Sequence, residues 1–171
     1  PAEIFTITVN PTGQVDAIDS QILCNADETA AIAFSTENTG GTTTYAWVND
    51  TPSIGLASSG NGDIDSFNVV NNGNEPVTAT VVVTPSFEGC TGPTEIFTIT
   101  VNPTAEMNDP EDMVVCNAEV TDVVEFTTDN TGGTTTYTWI NDTPAIGLAA
   151  TGSGDLPSFT AINTGTEPIV A

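Results

Sequence analysis

The sequence predicts an all-β protein made of repeated sandwich units. Three observations lead to this prediction: a long segment returns at a fixed offset, apolar residues alternate in short runs, and no segment has the apolar spacing of a helix. PAEIFTITVNPT at 1–12 returns as PTEIFTITVNPT at 93–104, an offset of 92 residues. NTGGTTTYAWVNDTPSIGLA at 38–57 returns as NTGGTTTYTWINDTPAIGLA at 130–149. Self-similarity at a fixed period is the sequence signature of a repeat architecture.

The boundaries of the repeat follow from the strand that precedes each Asn-Pro pair. IFTITVN alternates strictly and ends just before Pro11 and Pro103, so it is expected to be the last strand of a unit. We therefore expect residues 1–11 to be the last strand of a preceding repeat, residues 12–103 to be one complete repeat, and residues 104–171 to be a truncated following repeat. On this interpretation the chain is a window of a longer polypeptide.

Short alternating strands are expected in order along the complete repeat. Before the last strand, the pattern places them at 30–36, 43–48, 65–70 and 77–83. Ile32 and Phe34 share one side of the first of these, and the last has apolar residues at every second position. Six or seven short strands separated by turn residues, in a unit of this length, are typical of an immunoglobulin-like sandwich.

The aromatic side chains of these strands are predicted to form the core. Tyr45 and Trp47 lie on the same face of their strand because they are two residues apart. The full predicted core set, taken over both repeats, is Phe34, Tyr45, Trp47, Phe67, Phe126, Tyr137, Trp139 and Phe159. An exposed Tyr45 or Trp47 would instead suit stacking on a sugar ring. Burial of the Trp47 indole therefore distinguishes core packing from a carbohydrate-binding module.

The charge composition excludes several classes of function. The chain has 23 Asp and Glu residues and no Lys, Arg or His. Without a side-chain cation it cannot bind nucleic acid through a basic patch or dock electrostatically on anionic lipid. It also lacks the imidazole or amine that Ser-His-Asp and Schiff-base catalysis require. No apolar run approaches the roughly 18 residues of a spanning helix, so membrane insertion is not expected.

Acidic residues near the repeat junctions are the candidate ligands for a cation. They are Asp16, Asp19, Asp109, Glu111 and Asp112. Oxygen ligands of this kind suit Ca²⁺, which takes six to eight of them. No D-x-D-x-D-G string occurs, so we expect solvated acidic linkers and no cofactor, and Ca²⁺ is the alternative. Nothing favours a carboxylate-pair glycosidase, and no enzyme activity is expected.

Three cysteines remain to be accounted for. Cys24 and Cys116 occupy the same position in successive repeats, and Cys90 would recur beyond residue 171. The simplest pairing joins Cys24 to Cys90 within the complete repeat and leaves Cys116 for a cysteine outside the given sequence. A bridge between Cys90 and Cys116, and free thiols, are the alternatives. A disulfide would indicate an oxidising, extracellular setting.

Several strings together resemble a known family over the whole chain. They are CNA, TYxWxNDTPxIGLA, GxGDxxSF, EGCTG and FTITVNP. This set is similar to the PKD-like, immunoglobulin-like repeats found in tandem in giant secreted surface proteins of Bacteroidota, including gliding-motility adhesins and filament proteins. The resemblance implies a β-sandwich array, export by type IX secretion, a cell-surface location and no catalytic residue. In the PKD pattern the Trp strand leads into an FGDG-type turn, whereas here Trp47 leads into Val-Asn-Asp-Thr-Pro.

A structural stalk is the function that these observations predict. Identical sandwiches joined by short Pro-containing linkers form a semi-rigid rod that projects other parts away from a surface. The expected partners are other repeats of the same long chain, with surface polysaccharide and the secretion machinery as further candidates. The alternative is a carbohydrate-binding or Ca²⁺-stiffened adhesion module of a secreted protein.

Overall fold

The computed structural model describes all residues from 1 to 171 and divides them into two compact units, Pro1–Thr104 and Ala105–Ala171. Nearly all of the regular structure is β. Helix is limited to two short 3₁₀ turns, Pro52–Ile54 and Pro144–Ile146. Neither turn has the length or the apolar content that crossing a membrane requires. The protein is therefore almost wholly β, as its alternating pattern predicts.

The main element of the first unit is one mixed β-sheet. Its strands are β1 (Gln21–Cys24), β2 (Thr43–Asn49), β3 (Ser59–Asn61), β4 (Val77–Phe87), β5 (Cys90–Thr91) and β6 (Glu95–Asn102). The order across the sheet is β1-β6-β4-β2-β3, and β5 pairs with the end of β4. Only the edge pair β1–β6 is parallel, and every other pair is antiparallel. The long strands β4 and β6 therefore lie side by side in the middle of this sheet.

Alternation along β4 and β6 separates an inner face from an outer one. Val81, which is fully buried, lies directly opposite Phe97 on the neighbouring strand. Thr78 and Thr100 face each other on the outer side, where their hydroxyl groups are 2.9 Å apart. Valine and threonine both favour the sheet, because their β-branched side chains pack well on a pleated surface. The sheet thus has one apolar face and one face rich in threonine.

Two extended segments cover the inner face of this sheet. They are joined to each other by single bridges, Glu28 to Asn68 and Ile32 to Ile64. Ile32, Phe34, Ile64 and Val69 project from them into the same buried cluster as the inner residues of β4 and β6. The core therefore lies between two β layers, an arrangement consistent with a β-sandwich.

Regular strands were predicted for these segments at 30–36 and 65–70, and the structure corrects this. Side chains take the place of ladder partners there. The backbone N–H of Phe34 donates to the carboxylate of Asp63 at 2.8 Å, and that of Phe67 donates to the hydroxyl of Thr29 at 3.0 Å. Because these amides bond to side chains and not to carbonyl groups, the ladder is reduced to single bridges.

The second unit repeats part of this design. β7 (Thr138–Ile140) pairs antiparallel with β8 (Thr151–Ser153), and single bridges join Val120 to Thr160 and Val124 to Leu156. These are the positions of the first unit shifted by 92 residues. Residues 169–171, which correspond to the start of β4, form no strand. Only two of its hydrophobic residues are buried, Leu148 and Ala161.

The segment before the first unit's core forms no strand. Residues 1–10 have no ladder partner, and Ile4, Phe5, Ile7 and Val9 are all largely exposed. The sequence predicts a strand over 1–11, and the alternation needed for one is present. A strand requires a neighbour for its N–H and C=O groups, and this segment has none.

Candidate functional site

The aromatic residues of the first unit lie in or against the buried core. Trp47 is 7% exposed and Phe34 is 9% exposed, and Tyr45 and Phe67 are half-buried against them. The rings of Phe34 and Tyr45 meet at a tilt of 53° with centroids 5.3 Å apart, a favourable aromatic contact. Trp47 therefore presents no open face for a sugar ring to stack on.

The matching residues of the second unit are less covered. Phe126, Tyr137, Trp139 and Phe159 are all half-buried. Phe126 and Tyr137 keep the tilted contact, with centroids 5.7 Å apart. Each of the two indole N–H groups is buried without a hydrogen-bond partner. Trp47 and Trp139 thus serve their units by packing alone.

The NDTP segment after β2 is held by its asparagine. The string Asn49-Asp50-Thr51 satisfies the rule for N-glycosylation, but Asn49 is buried. Its side-chain amide donates to the carbonyl of Leu56 at 3.0 Å and to that of Ala57 at 3.3 Å, and its oxygen accepts the N–H of Thr51. Asn141 makes the same set of bonds in the second unit. This asparagine is a structural turn residue, as the position of the Asn-Asp-Thr-Pro string directly after a strand predicts.

Asp50 ties this turn to the central strand. Its carboxylate accepts the backbone N–H of Thr80 at 2.8 Å and the hydroxyl of Thr51 at 2.8 Å. The hydrogen bond from Thr80 is the main reason that the pKa of Asp50 lies below the usual 3.8. The carboxylate itself is open to solvent. Its contacts hold the turn against β4.

The acidic residues near the junctions are not gathered into a metal centre. Asp16 accepts the hydroxyl of Ser35 at 2.6 Å, and it lines a shallow open depression together with Asp19. Asp109, Glu111 and Asp112 are exposed. No group of three or more Asp, Glu, His or Cys side chains in the chain could hold a metal ion.

The cysteines are free thiols, which corrects the expected bridge between Cys24 and Cys90. Cys24 lies opposite Asn102, beside the start of β4, and Cys90 lies opposite Phe87 at the end of β4. β4 has 11 residues, so these two ends are about 33 Å apart. A disulfide needs Cα atoms within about 7 Å, so the prediction of this pair is wrong. The third thiol, Cys116, is exposed.

The same two ends of β4 are where the chain enters and leaves the first unit. The N–H of Gly13 donates to the carbonyl of Cys90 at 2.9 Å, and we call this end the Cys90 pole. The N–H of Asn25 donates to the carbonyl of Asn102 at 2.9 Å at the opposite end, the Cys24 pole. A Cβ on Gly92 would lie 1.7 Å from the carbonyl oxygen of Gly13, so only glycine permits this approach. Sequence reasoning missed both contacts.

No protein-family model matches the chain, and no curated protein is significantly similar to it. Function must therefore be argued from the geometry of the units.

Proposed function

We propose that this chain is part of a structural stalk, built from tandem immunoglobulin-like repeats of an extracellular cell-surface adhesin or filament. The observation that carries the proposal is the path of the chain through the first unit. The chain enters at the Cys90 pole and leaves at the Cys24 pole, at opposite ends of β4. Repeats connected in this way add length with every unit, which is what a stalk requires.

The surface charge supports the same function. The chain has 23 Asp and Glu side chains and no Lys, Arg or His, so its net charge is −23. Carboxylates of one sign keep neighbouring units and closely apposed fibres apart, over a distance of about 8 Å at physiological salt. We therefore expect an array of such units to stay extended. Charge repulsion should also keep one array from adhering to another.

The proposal does not include a disulfide, because Cys24 and Cys90 are too far apart to pair within one repeat. The resemblance to PKD-like repeats adds type IX secretion, a role in gliding motility or surface filaments, and contact with surface polysaccharide or the secretion machinery.

The second candidate is a carbohydrate-binding or Ca²⁺-stiffened adhesion module. No observation favours it: Trp47 is buried, and the junction acids do not converge. We therefore retain the stalk as the proposed function, without catalysis in this portion.

Electron microscopy of the full-length secreted molecule tests the stalk. We expect beads along a thin fibre, with a spacing of at least about 33 Å, the length of β4. Adding EGTA provides the matched control, because the spacing and stiffness should not change when Ca²⁺ is removed. A compact particle would contradict the stalk, and collapse of the fibre in EGTA would favour the Ca²⁺-stiffened module.

A further inference from the structure

We propose that Asn72 of the first unit is a site of spontaneous chemical modification, at which the side-chain amide is converted to a carboxylate, and that Asn71 slows this conversion. The site is independent of the stalk function. Two observations support it: the fold holds the two Asn-Gly pairs of the chain in different ways, and Asn71 bonds to the nitrogen that must react.

Asparagine followed by glycine is the pair most open to this reaction, because glycine has no Cβ that would hinder ring closure. The backbone nitrogen of the glycine loses its proton and forms a bond to Cγ of the asparagine. The bond from Cγ to Nδ2 breaks, ammonia leaves, and a five-membered succinimide remains. Water then opens the ring at either of its carbonyl groups, which yields aspartate or isoaspartate. The glycine nitrogen must first be released from any hydrogen bond that it donates.

The chain contains two Asn-Gly pairs, Asn61-Gly62 and Asn72-Gly73, and both asparagines are exposed. Asn61 is the last residue of β3 and is paired with β2. The N–H of Gly62 extends this pairing, because it donates to the backbone carbonyl of Tyr45 at 2.9 Å. Attack by the Gly62 nitrogen therefore requires the β2–β3 pair to open, which costs free energy.

The second pair is held by one side chain only. Asn72 lies outside every strand. The N–H of Gly73 donates to Oδ1 of Asn71 at 3.0 Å, a contact between residues i and i+2 that is typical of an Asx turn. A Cβ built on Gly73 would have this same oxygen, at 3.4 Å, as its only neighbour within 4 Å. Release of a single contact therefore frees the nitrogen, and the surroundings leave room for the ring.

Asn71 is the residue that restrains the reaction. It is 4% exposed, and its Nδ2 donates to the carbonyl of Glu75 at 2.8 Å and to that of Val101 in β6 at 2.7 Å. These two bonds fix the side-chain amide, so its oxygen stays on the N–H of Gly73. Asn71 is therefore a positioning residue, and its contact with Gly73 must break before the ring can close.

The second unit keeps the same turn without the reactive asparagine. The N–H of Gly165 donates to Oδ1 of Asn163 at 2.9 Å, and Nδ2 of Asn163 donates to the carbonyl of Glu167 at 2.9 Å. The residue between them is Thr164. The turn therefore forms with threonine in this place, and Asn72→Thr is a matched control that the chain itself suggests.

Incubation of the complete native chain in mildly alkaline buffer tests the site. Chymotryptic cleavage after Phe67 separates Asn61 from Asn72, and the mass gain from amide to acid measures conversion at each. We expect Asn72 to convert about tenfold faster than Asn61, because no strand has to open. An isoaspartyl methyltransferase, which labels isoaspartate, should label the Asn72 peptide of the native chain and not that of Asn72→Thr.

The same incubation in urea shows whether the fold selects the site. Both asparagines should then convert at similar rates, because neither glycine nitrogen is held. No conversion at Asn72, or equal rates at the two pairs in the native chain, would overturn the proposal. A preference for Asn72 that persists unchanged in urea would also overturn it, because the local sequence would then be sufficient.

Asn71→Ala tests the restraint. Loss of the hydrogen bond to Gly73 should speed conversion of Asn72 about fivefold and leave Asn61 unchanged. Asn61 reports on general loosening, since unfolding of the unit frees both pairs, so equal acceleration of both asparagines would show that the restraint assigned to Asn71 is wrong. Amide exchange in the unsubstituted chain gives a second measurement: the N–H of Gly73 should be protected relative to that of the exposed Asn74. Equal protection would contradict the restraint.

Discussion

Trp47 and Gly60 show at the level of single residues how tightly the inner face of the first unit is packed. Gly60 lies on β3 opposite Trp47, and a Cβ built on it would be 2.2 Å from the indole ring. Gly152 and Trp139 repeat the arrangement, with a distance of 2.1 Å. The glycine is thus required by the indole and not by an unusual backbone angle. The 92-residue repeat preserves the pair, although the sequence alone did not identify it.

Gly60→Ala should therefore destabilise the first unit. Relief of the clash must displace Trp47 or the strand, a kind of overpacking that costs about 1–3 kcal/mol. Urea unfolding followed by Trp fluorescence measures the change. Gly73→Ala is the control, because its added Cβ would meet only the Asn71 side chain at an ordinary distance of 3.4 Å. Equal stability of the two variants would show that the indole does not depend on the glycine.

Asp50 gives the first unit a stability that depends on pH. Its folded pKa lies below 3.8, chiefly because Thr80 donates a backbone hydrogen bond to the carboxylate. A lowered folded pKa contributes stability that is fully present above 3.8 and is lost as the pH falls through the folded value. Asp50→Asn should lower the urea midpoint at pH 7 and have a smaller effect at pH 2. Asp19→Asn removes an exposed carboxylate as a control, and a pH-independent effect of Asp50→Asn would contradict the assignment.

At the level of strands, the sequence predicted some elements well and others poorly. β2, β4 and β6 were predictable because their apolar residues alternate against a continuous neighbour. The segments around Phe34 and Phe67 also alternate, but their amides bond to side chains that are 29 and 38 residues away in the chain. Hydrogen bonds to partners this far away in the chain produce no periodic pattern in the sequence. The alternating pattern was sufficient to choose the aromatic core candidates. The distance between Cys24 and Cys90 depends on the order of the strands in the sheet, which this pattern does not give.

The positions of the cysteines predict their reactivity. In the native 171-residue chain without reductant, iodoacetamide should modify Cys24, Cys90 and Cys116, since all three are free and none is fully buried. Cys90, which is half-buried, should react more slowly than Cys24. Intact mass and peptide mapping would show three modified thiols. A peptide containing Cys24 joined to Cys90 would contradict the 33 Å separation of the poles.

At the level of the whole molecule, the two units differ in how much core they contain. The first unit has a continuous buried cluster between two layers, and β4 and β6 lie at its centre. In the second unit only Leu148 and Ala161 are buried hydrophobic residues. Hydrophobic burial is the main favourable term in folding, so the units should not be equally stable.

Hydrogen exchange on the intact chain should reveal this difference. Amides of β4 and β6 should be the slowest to exchange, and those of Ala105–Ala171 should exchange faster, because local opening costs least where the fewest apolar contacts are lost. Equal protection of both units would contradict the difference in buried core between them.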